Sequence, residues 1–247
     1  MTHELFRQDA YLRESAATVI EVGEQGVILD RTVFYPLGGG QAGDSGVLLL
    51  ADGSALEVAD TRKVKDAEGR PTAVIAHVPA PGQDALLRDL RPGTPVLARI
   101  DWDRRHRLMR FHTTTHLLCH LVPQLVNGCS ITPEYARLDF NMTEPLDKDA
   151  LTAGIARLVA AAHPVEVGSI REEELDANPA LVKSMSVQPP RGTGRIRTIR
   201  VGPADHPVDF QPCGGTHVAS TAEIGGVVVT RIEKKSATTR RVVLGFS

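Results

Sequence analysis

A chain of 247 residues with 42% hydrophobic content is long enough to bury one large core or two ordinary ones, which excludes a short stapled peptide and a disordered polymer. Its 28 basic and 30 acidic residues leave a net charge of -2, a balance that points to no class of partner. The charge is unevenly placed: residues 1–95 carry 9 Lys and Arg against 14 Asp and Glu, and the remainder carries 19 against 16.

The first ten residues include Thr2, His3, Glu4, Arg7, Gln8 and Asp9, so no signal peptide is expected. No later apolar stretch is long enough to span a bilayer, and the cytoplasm is the expected compartment, with no membrane partner. The three cysteines, Cys119, Cys129 and Cys213, are an odd number that argues for reduced thiols, each a candidate metal ligand.

Short apolar runs at 17–22, 26–29, 47–50, 56–59 and 72–78 alternate with Gly23, Gly46, Asp52-Gly53 and Gly69. That spacing predicts a small antiparallel barrel or sandwich without a long helix. Pro79, Pro81, Pro92 and Pro95, with Gly82 and Gly93, mark a boundary, giving expected domains 1–95 and 96–247, with strand-like residues 96–100 leading into the second. From 102 to 126, Leu108, Phe111, Thr115, Leu118 and Val122 recur at helical intervals, predicting a long amphipathic helix disturbed at Pro123. A loop around Asn127-Gly128 and a strand at 136–140 follow. Asp147 then caps a helix running to about 162, stopped by Pro164. Residues 165–170, 196–201, 226–232 and 241–246 read as further strands. The expected class is α+β: an N-terminal antiparallel barrel, then an α+β domain whose mainly antiparallel sheet is packed by the long helix.

Inside that helix, His112 and His116 lie four residues apart, so both imidazoles face one side, close enough to share an ion. Thr113 stands where a zincin protease would carry its general base, so peptidase chemistry of that type is unsupported. The complement is Cys213-Gly214-Gly215-Thr216-His217, a glycine-rich loop able to turn a thiolate and an imidazole to a common point. One thiolate and three imidazoles suit a single Zn2+ better than magnesium or calcium, which prefer oxygen ligands. Gly38, Gly40 and Gly43 satisfy a dinucleotide fingerprint, but Pro36 breaks the approach and a strand follows instead of a helix, so no nucleotide cofactor is expected. The loop reads either as a tight barrel turn or as a place where backbone N–H groups approach a substrate, with Gln41 at its tip. Two arginine clusters, Arg104, Arg105, Arg107 and Arg110, then Arg191, Arg195, Arg197 and Arg200, suit phosphate contacts or simple solvation.

His112 to His116 with Leu117-Leu118, Arg137-Leu138-Asp139-Phe140, Cys213 to His217 with Val218, and Glu223-Ile224-Gly225 occur in the order found in a known family. So do the late runs Arg231-Ile232-Glu233-Lys234-Lys235 and Thr239-Arg240-Arg241-Val242. On these motifs the chain resembles the editing domain of alanyl-tRNA synthetase and its free-standing relatives, the AlaX proteins. Upstream, the stretch Phe34-Tyr35-Pro36-Leu37-Gly38-Gly39-Gly40-Gln41-Ala42-Gly43-Asp44-Ser45-Gly46 resembles the glycine-rich motif in the barrel that precedes the editing domain in synthetases and medium-length AlaX proteins.

The resemblance implies a zinc-dependent aminoacyl-tRNA deacylase, a hydrolase of translation fidelity. Its substrate would be tRNA(Ala) mischarged chiefly with serine and also with glycine. The length leaves no room for an aminoacylation domain, so action in trans is expected. Such a site is needed because a pocket for alanine excludes glycine or serine by only on the order of 10- to 200-fold. His112, His116, Cys213 and His217 are the expected metal ligands; Thr115, Ser130, Gly39, Gly40 and Gln41 the substrate contacts; Arg104, Arg105, Arg195 and Arg197 the tRNA contacts. No general base stands out, and Asp139 reads as structural or as pointing into the site. Four protein ligands also describe a closed zinc site, which keeps open a non-catalytic zinc-stabilised RNA-binding module, and a general zinc esterase is a third reading.

Overall fold

Alternation of apolar and polar residues decides the first half of the computed structural model, which describes residues 2–192 and 194–247. The strands are β1 (His3–Glu4), β2 (Glu14–Gly23), β3 (Gly26–Leu29), β4 (Arg31–Thr32), β5 (Gly46–Leu49), β6 (Ala55–Lys65), β7 (Pro71–Pro79) and β8 (Pro95–Ile100). Ala17 and Val19 on β2, Leu56 and Val58 on β6, and Val96, Ala98 and Ile100 on β8 recur every second residue and are buried, because successive strand side chains point to opposite faces. Six strands close into a barrel in the order β2-β3-β7-β6-β5-β8, which satisfies both edges of every one of them. Val27, Leu29, Val33, Phe34 and Leu48 complete its interior. A short helix, α1 (Asp84–Asp89), lies between β7 and β8, and β8 pairs with β2 and β5.

One barrel histidine carries a testable consequence. His77 is fully buried; its Nδ1 donates to the Val27 carbonyl (2.9 Å), and its Nε2 lies 2.7 Å from the Thr32 hydroxyl. Burial, only partly opposed by the Val27 hydrogen bond, lowers its pKa from 6.5 to about 4. Between those values the unfolded chain binds a proton that the folded chain does not, so stability is complete above pH 6.5 and is lost as pH falls toward 4. Unfolding free energies from urea titrations at pH 7.5 and pH 5 are expected to differ by about 2 kcal/mol more in the native chain than in a His77→Gln variant. An identical difference in both would remove His77 as the cause.

The second half is built on α2 (Trp102–Leu121), β9 (Val126–Ile131), β10 (Ala136–Asn141), α3 (Lys148–Ala160), β11 (Val165–Arg171), α4 (Glu172–Ala177), β12 (Arg195–Val201), β13 (Asp209–Pro212), β14 (Val227–Ser236) and β15 (Thr239–Phe246). Asp101 starts α2, its carboxylate accepting from the Arg104 N–H (3.1 Å) and its carbonyl from that of Arg105 (3.0 Å). The helix ends at Leu121, two residues before Pro123 and short of the expected 126, because proline disfavours helical backbone before it and brings no N–H of its own. Asp147 caps α3 as expected, accepting from the N–H groups of Asp149 (2.9 Å) and Ala150 (3.0 Å).

Two antiparallel sheets follow, β14-β15-β10-β9 and β11-β12-β13. The expected loop at Asn127-Gly128 is instead the middle of β9, which pairs with β10 across an irregularity at Asp139/Phe140. The chain divides into two compact units, residues 1–38 with 42–106 and residues 39–41 with 107–247. No helix among the described residues is long and apolar enough to cross a membrane.

Candidate metal centre

Helix geometry and one glycine loop bring the four expected ligands together. His112 and His116 lie on one face of α2, and β13 delivers Cys213 directly from its last residue, Pro212. One donor atom from each of His112, His116, Cys213 and His217 falls in a cluster whose members all lie within 4.8 Å of one another. Cys213 Sγ is 3.4 Å from His112 Nε2 and 3.3 Å from His217 Nε2. A tetrahedral zinc, with Zn–S of about 2.3 Å and Zn–N of about 2.0–2.1 Å, would hold a sulfur and a nitrogen about 3.5 Å apart. The three imidazoles are buried, and Cys213 is the least buried of the four.

Each ring is oriented through its other nitrogen. Gln41 Oε1 accepts from His112 Nδ1 (2.7 Å) and from the Thr216 N–H (3.1 Å), while its Nε2 donates to the Thr216 hydroxyl (2.9 Å). His116 Nδ1 meets Asp209 Oδ2 at 2.7 Å; Gln211 Nε2 donates to the same oxygen (2.8 Å), and Lys183 Nζ pairs with Oδ1. His217 Nδ1 lies 3.1 Å from the Thr113 hydroxyl. With every Nδ1 engaged, a proton on that atom leaves all three Nε2 lone pairs open, the usual arrangement around a metal-binding histidine. The donor set and these outer partners together fit a zinc ion.

Electrostatics agree with ligation by sulfur. Burial disfavours the Cys213 thiolate, but His112 and His217 outweigh it and hold the thiol well below its ordinary pKa. Burial likewise opposes charge on His116, yet the Asp209 hydrogen bond and Cys213 raise it to about 9; on His217, burial and then His112 lower it to about 3. Cys119 and Cys129 stay outside the cluster, pushed up to about 12 chiefly by burial.

Local backbone makes the cluster possible. A Cβ on Gly215 would stand 2.1 Å from His112 Cε1, so only glycine lets the loop lie against that ring. Arg197 Nη1 donates to the Cys213 carbonyl (2.6 Å), and the Cys213 N–H returns a bond to the Arg197 carbonyl (3.2 Å). Gly39, Gly40 and Gln41 reach the same region: the Gly40 carbonyl accepts from the Ile131 N–H (2.7 Å), and a Cβ on Gly40 (φ 85°) would meet Cys129 Sγ at 2.9 Å.

The other expected site residues have mixed placements. Gln41 is fully buried, and its amide works as the brace of His112, not as a free tip. Thr115 is buried and donates to the His112 carbonyl (2.7 Å), leaving its oxygen able to accept. Ser130 sits on β9 opposite Arg137. Asp139 is held by Arg241 (2.7 and 2.9 Å) and Arg137 (2.8 Å) and is not one of the clustered ligands. Arg195 is exposed and donates to the Ser169 hydroxyl (2.8 Å), and Arg104 reaches the Gly43 carbonyl (3.2 Å). Arg105 corrects the expectation of a tRNA contact: it is 0% exposed and bonded to Asp44, Val33 and Ala10, out of reach of a phosphate. Sequence reasoning missed Asp209, Gln211, Thr113 and Lys183; the one available signal was the alternating Asp209 and Gln211 just before Cys213.

Comparison with known proteins agrees with this geometry. Residues 196–243 match the family model of the threonyl and alanyl tRNA synthetase second additional domain, and residues 6–104 match that of the class II (A) tRNA synthetases. An alanyl-tRNA editing protein AlaX-M of Saccharolobus solfataricus is 32% identical over 250 residues, covering 98% of both chains. This chain belongs to the AlaX-M family. A second AlaX-M protein, from Methanosarcina barkeri, is 33% identical over 255 residues, again covering 98% of both chains. The alanine–tRNA ligase of Ignicoccus hospitalis is 36% identical over 241 residues, 94% of this chain but 24% of that protein. The chain thus spans about a quarter of the length of the alanine–tRNA ligases it matches.

Proposed function

We propose that this chain hydrolyses, in trans, the ester that joins serine, and also glycine, to tRNA(Ala), using one Zn2+ held by His112, His116, Cys213 and His217. The observation that carries the reading is the convergence of one nitrogen from each of three imidazoles and the Cys213 sulfur, each imidazole braced through Nδ1. The names of the full-length relatives, alanyl-tRNA editing proteins, supply the substrate class. Zinc in such a place supplies Lewis acidity toward an ester carbonyl. The protein's own residues then orient and select. Asp209, Gln41 and Thr113 fix the three rings, and Lys183 balances the buried charge of Asp209. Thr115, with an accepting oxygen to spare, and Ser130 are the candidate contacts for the serine hydroxyl, beside the Gly39–Gly40 backbone. A site built for that hydroxyl leaves a polar group unpaired when alanine enters, which costs about 1–3 kcal/mol and spares the correct product. Arg104, Arg195 and Arg197 are candidate contacts for the acceptor stem.

The closed, four-ligand geometry favours a second reading, a zinc-stabilised RNA-binding module without catalysis. One assay separates the readings: deacylation of Ser-, Gly- and Ala-tRNA(Ala), with metal content measured on the same preparation. Loss of the first two esters with Ala-tRNA(Ala) retained supports editing. Binding without turnover in a metal-loaded preparation overturns it, and turnover of small esters at a comparable rate would indicate a general esterase instead.

A further inference from the structure

The first arginine cluster is only partly accounted for by the roles above. Arg107 and Arg110 project from one side of α2, three residues apart and, at 100° per residue, turned away from His112 and His116. Their Cζ atoms lie 4.3 Å and 4.2 Å from the centroid of the Phe246 ring at the end of β15, and Phe111 packs against that ring at 4.2 Å. Each guanidinium is anchored through Nε alone: Arg107 donates to the Pro133 carbonyl (2.8 Å) and Arg110 to the Ile224 carbonyl (2.7 Å). Their Nη atoms have no protein acceptor, and neither arginine joins an ion pair among the described residues, although Glu134 follows Pro133 directly. Burial, then the neighbouring Arg107 charge, lower the pKa of Arg110, so the two cations are close enough to repel.

Two planar forks with free Nη donors, fixed on one aromatic ring and lacking a carboxylate, are a receptor for a tetrahedral anion. We propose that Arg107 and Arg110, held by Phe246, bind a backbone phosphodiester of the RNA substrate. The choice of RNA as the source of that phosphate rests on the deacylase reading; the anion site itself rests on the geometry. Phosphate contacts position the nucleic acid without reading its sequence, so this pair would contribute to binding and not to the choice between serine and alanine.

The test uses the full chain and an uncharged RNA hairpin copying the acceptor stem of tRNA(Ala), with affinity measured by fluorescence anisotropy between 50 and 200 mM KCl. Arg107→Gln is expected to weaken binding about fivefold at 0.1 M salt and to flatten the log–log salt dependence by about one; Arg107→Gln with Arg110→Gln is expected to flatten it by about two. Arg70→Gln removes an exposed charge already paired with Asp66 and Glu68, and should change neither quantity. Unchanged affinity and slope in a folded double variant overturn the site, as does an equal loss from Arg70→Gln or a native chain that does not bind the hairpin. Should the double variant fail to fold, the exposed Arg107 single variant decides. Because the hairpin carries no ester, failure of the deacylase reading appears separately, as intact Ser-tRNA(Ala) in the native chain.

Discussion

Replacing His116 by alanine is expected to lower deacylation of Ser-tRNA(Ala) about a thousandfold and to leave the purified chain with well under one zinc per molecule. The magnitude follows from the Lewis acidity at stake, which is worth several kcal/mol of transition-state stabilisation, each 1.36 kcal/mol being about tenfold in rate. The loss has a second source. His116 is the partner of Asp209 Oδ2, and the Asp209 carboxylate, held low despite burial by His116 and Lys183, would keep only Lys183 and Gln211 around it. Asp209→Asn separates the two effects, since it keeps the ring in place and removes only the charge that orients it. A loss of about 10- to 100-fold in metal affinity is expected there, with kcat largely restored at saturating zinc. A His116→Ala chain that retains one tightly held zinc and native turnover would end the proposal.

What was legible in the sequence was local. Alternation in β2, β6 and β8 and the cap at Asp147 each depend on residues within one turn or one strand, and they appear where their pattern puts them, whereas α2 stops before Pro123 instead of running on to the expected 126. The His112–His116 spacing and the Cys213–His217 loop are local for the same reason, and the zinc preference follows from ligand chemistry alone. The misses are of two kinds. Asn127-Gly128 carries turn chemistry but lies in β9, where pairing with β10 and bonds to residues 40, 183 and 185 override it. Asp209 braces His116 from 93 positions away, and Gln41 braces His112 from 71, and no spacing rule connects such pairs. Arg105 was a different error. It lies seven residues before His112, so helical periodicity places it on the inward stripe with Leu108 and His112, yet its neighbours Arg104 and Arg107 made it read as part of a surface cluster.

The burial of Arg105 leads to the largest stability effect expected in the molecule. Its side chain and that of Asp44 are both 0% exposed, with Nε at 3.0 Å from each carboxylate oxygen. The guanidinium also donates to the Val33 (2.7 Å) and Ala10 (2.9 Å) carbonyls, and Asp44 Oδ2 accepts from the Tyr35 N–H (2.6 Å). Removing one charge of such a pair leaves the other buried without compensation, at a cost of about 3–5 kcal/mol, a third or more of the stability of an ordinary domain. Arg105→Gln is therefore expected to lower the urea midpoint steeply with little change in slope, because the surface exposed on unfolding is nearly the same. Asp44→Asn should cost a similar amount. Replacing both residues by apolar ones should not restore the loss, since the Tyr35 N–H and the Val33 and Ala10 carbonyls would then lack their partners. A phosphate-binding arginine would behave in the opposite way, weakening RNA binding and flattening its salt dependence while the midpoint stayed put. An Arg105→Gln chain with a native urea midpoint and reduced RNA affinity would reverse the assignment and return Arg105 to the tRNA-binding surface.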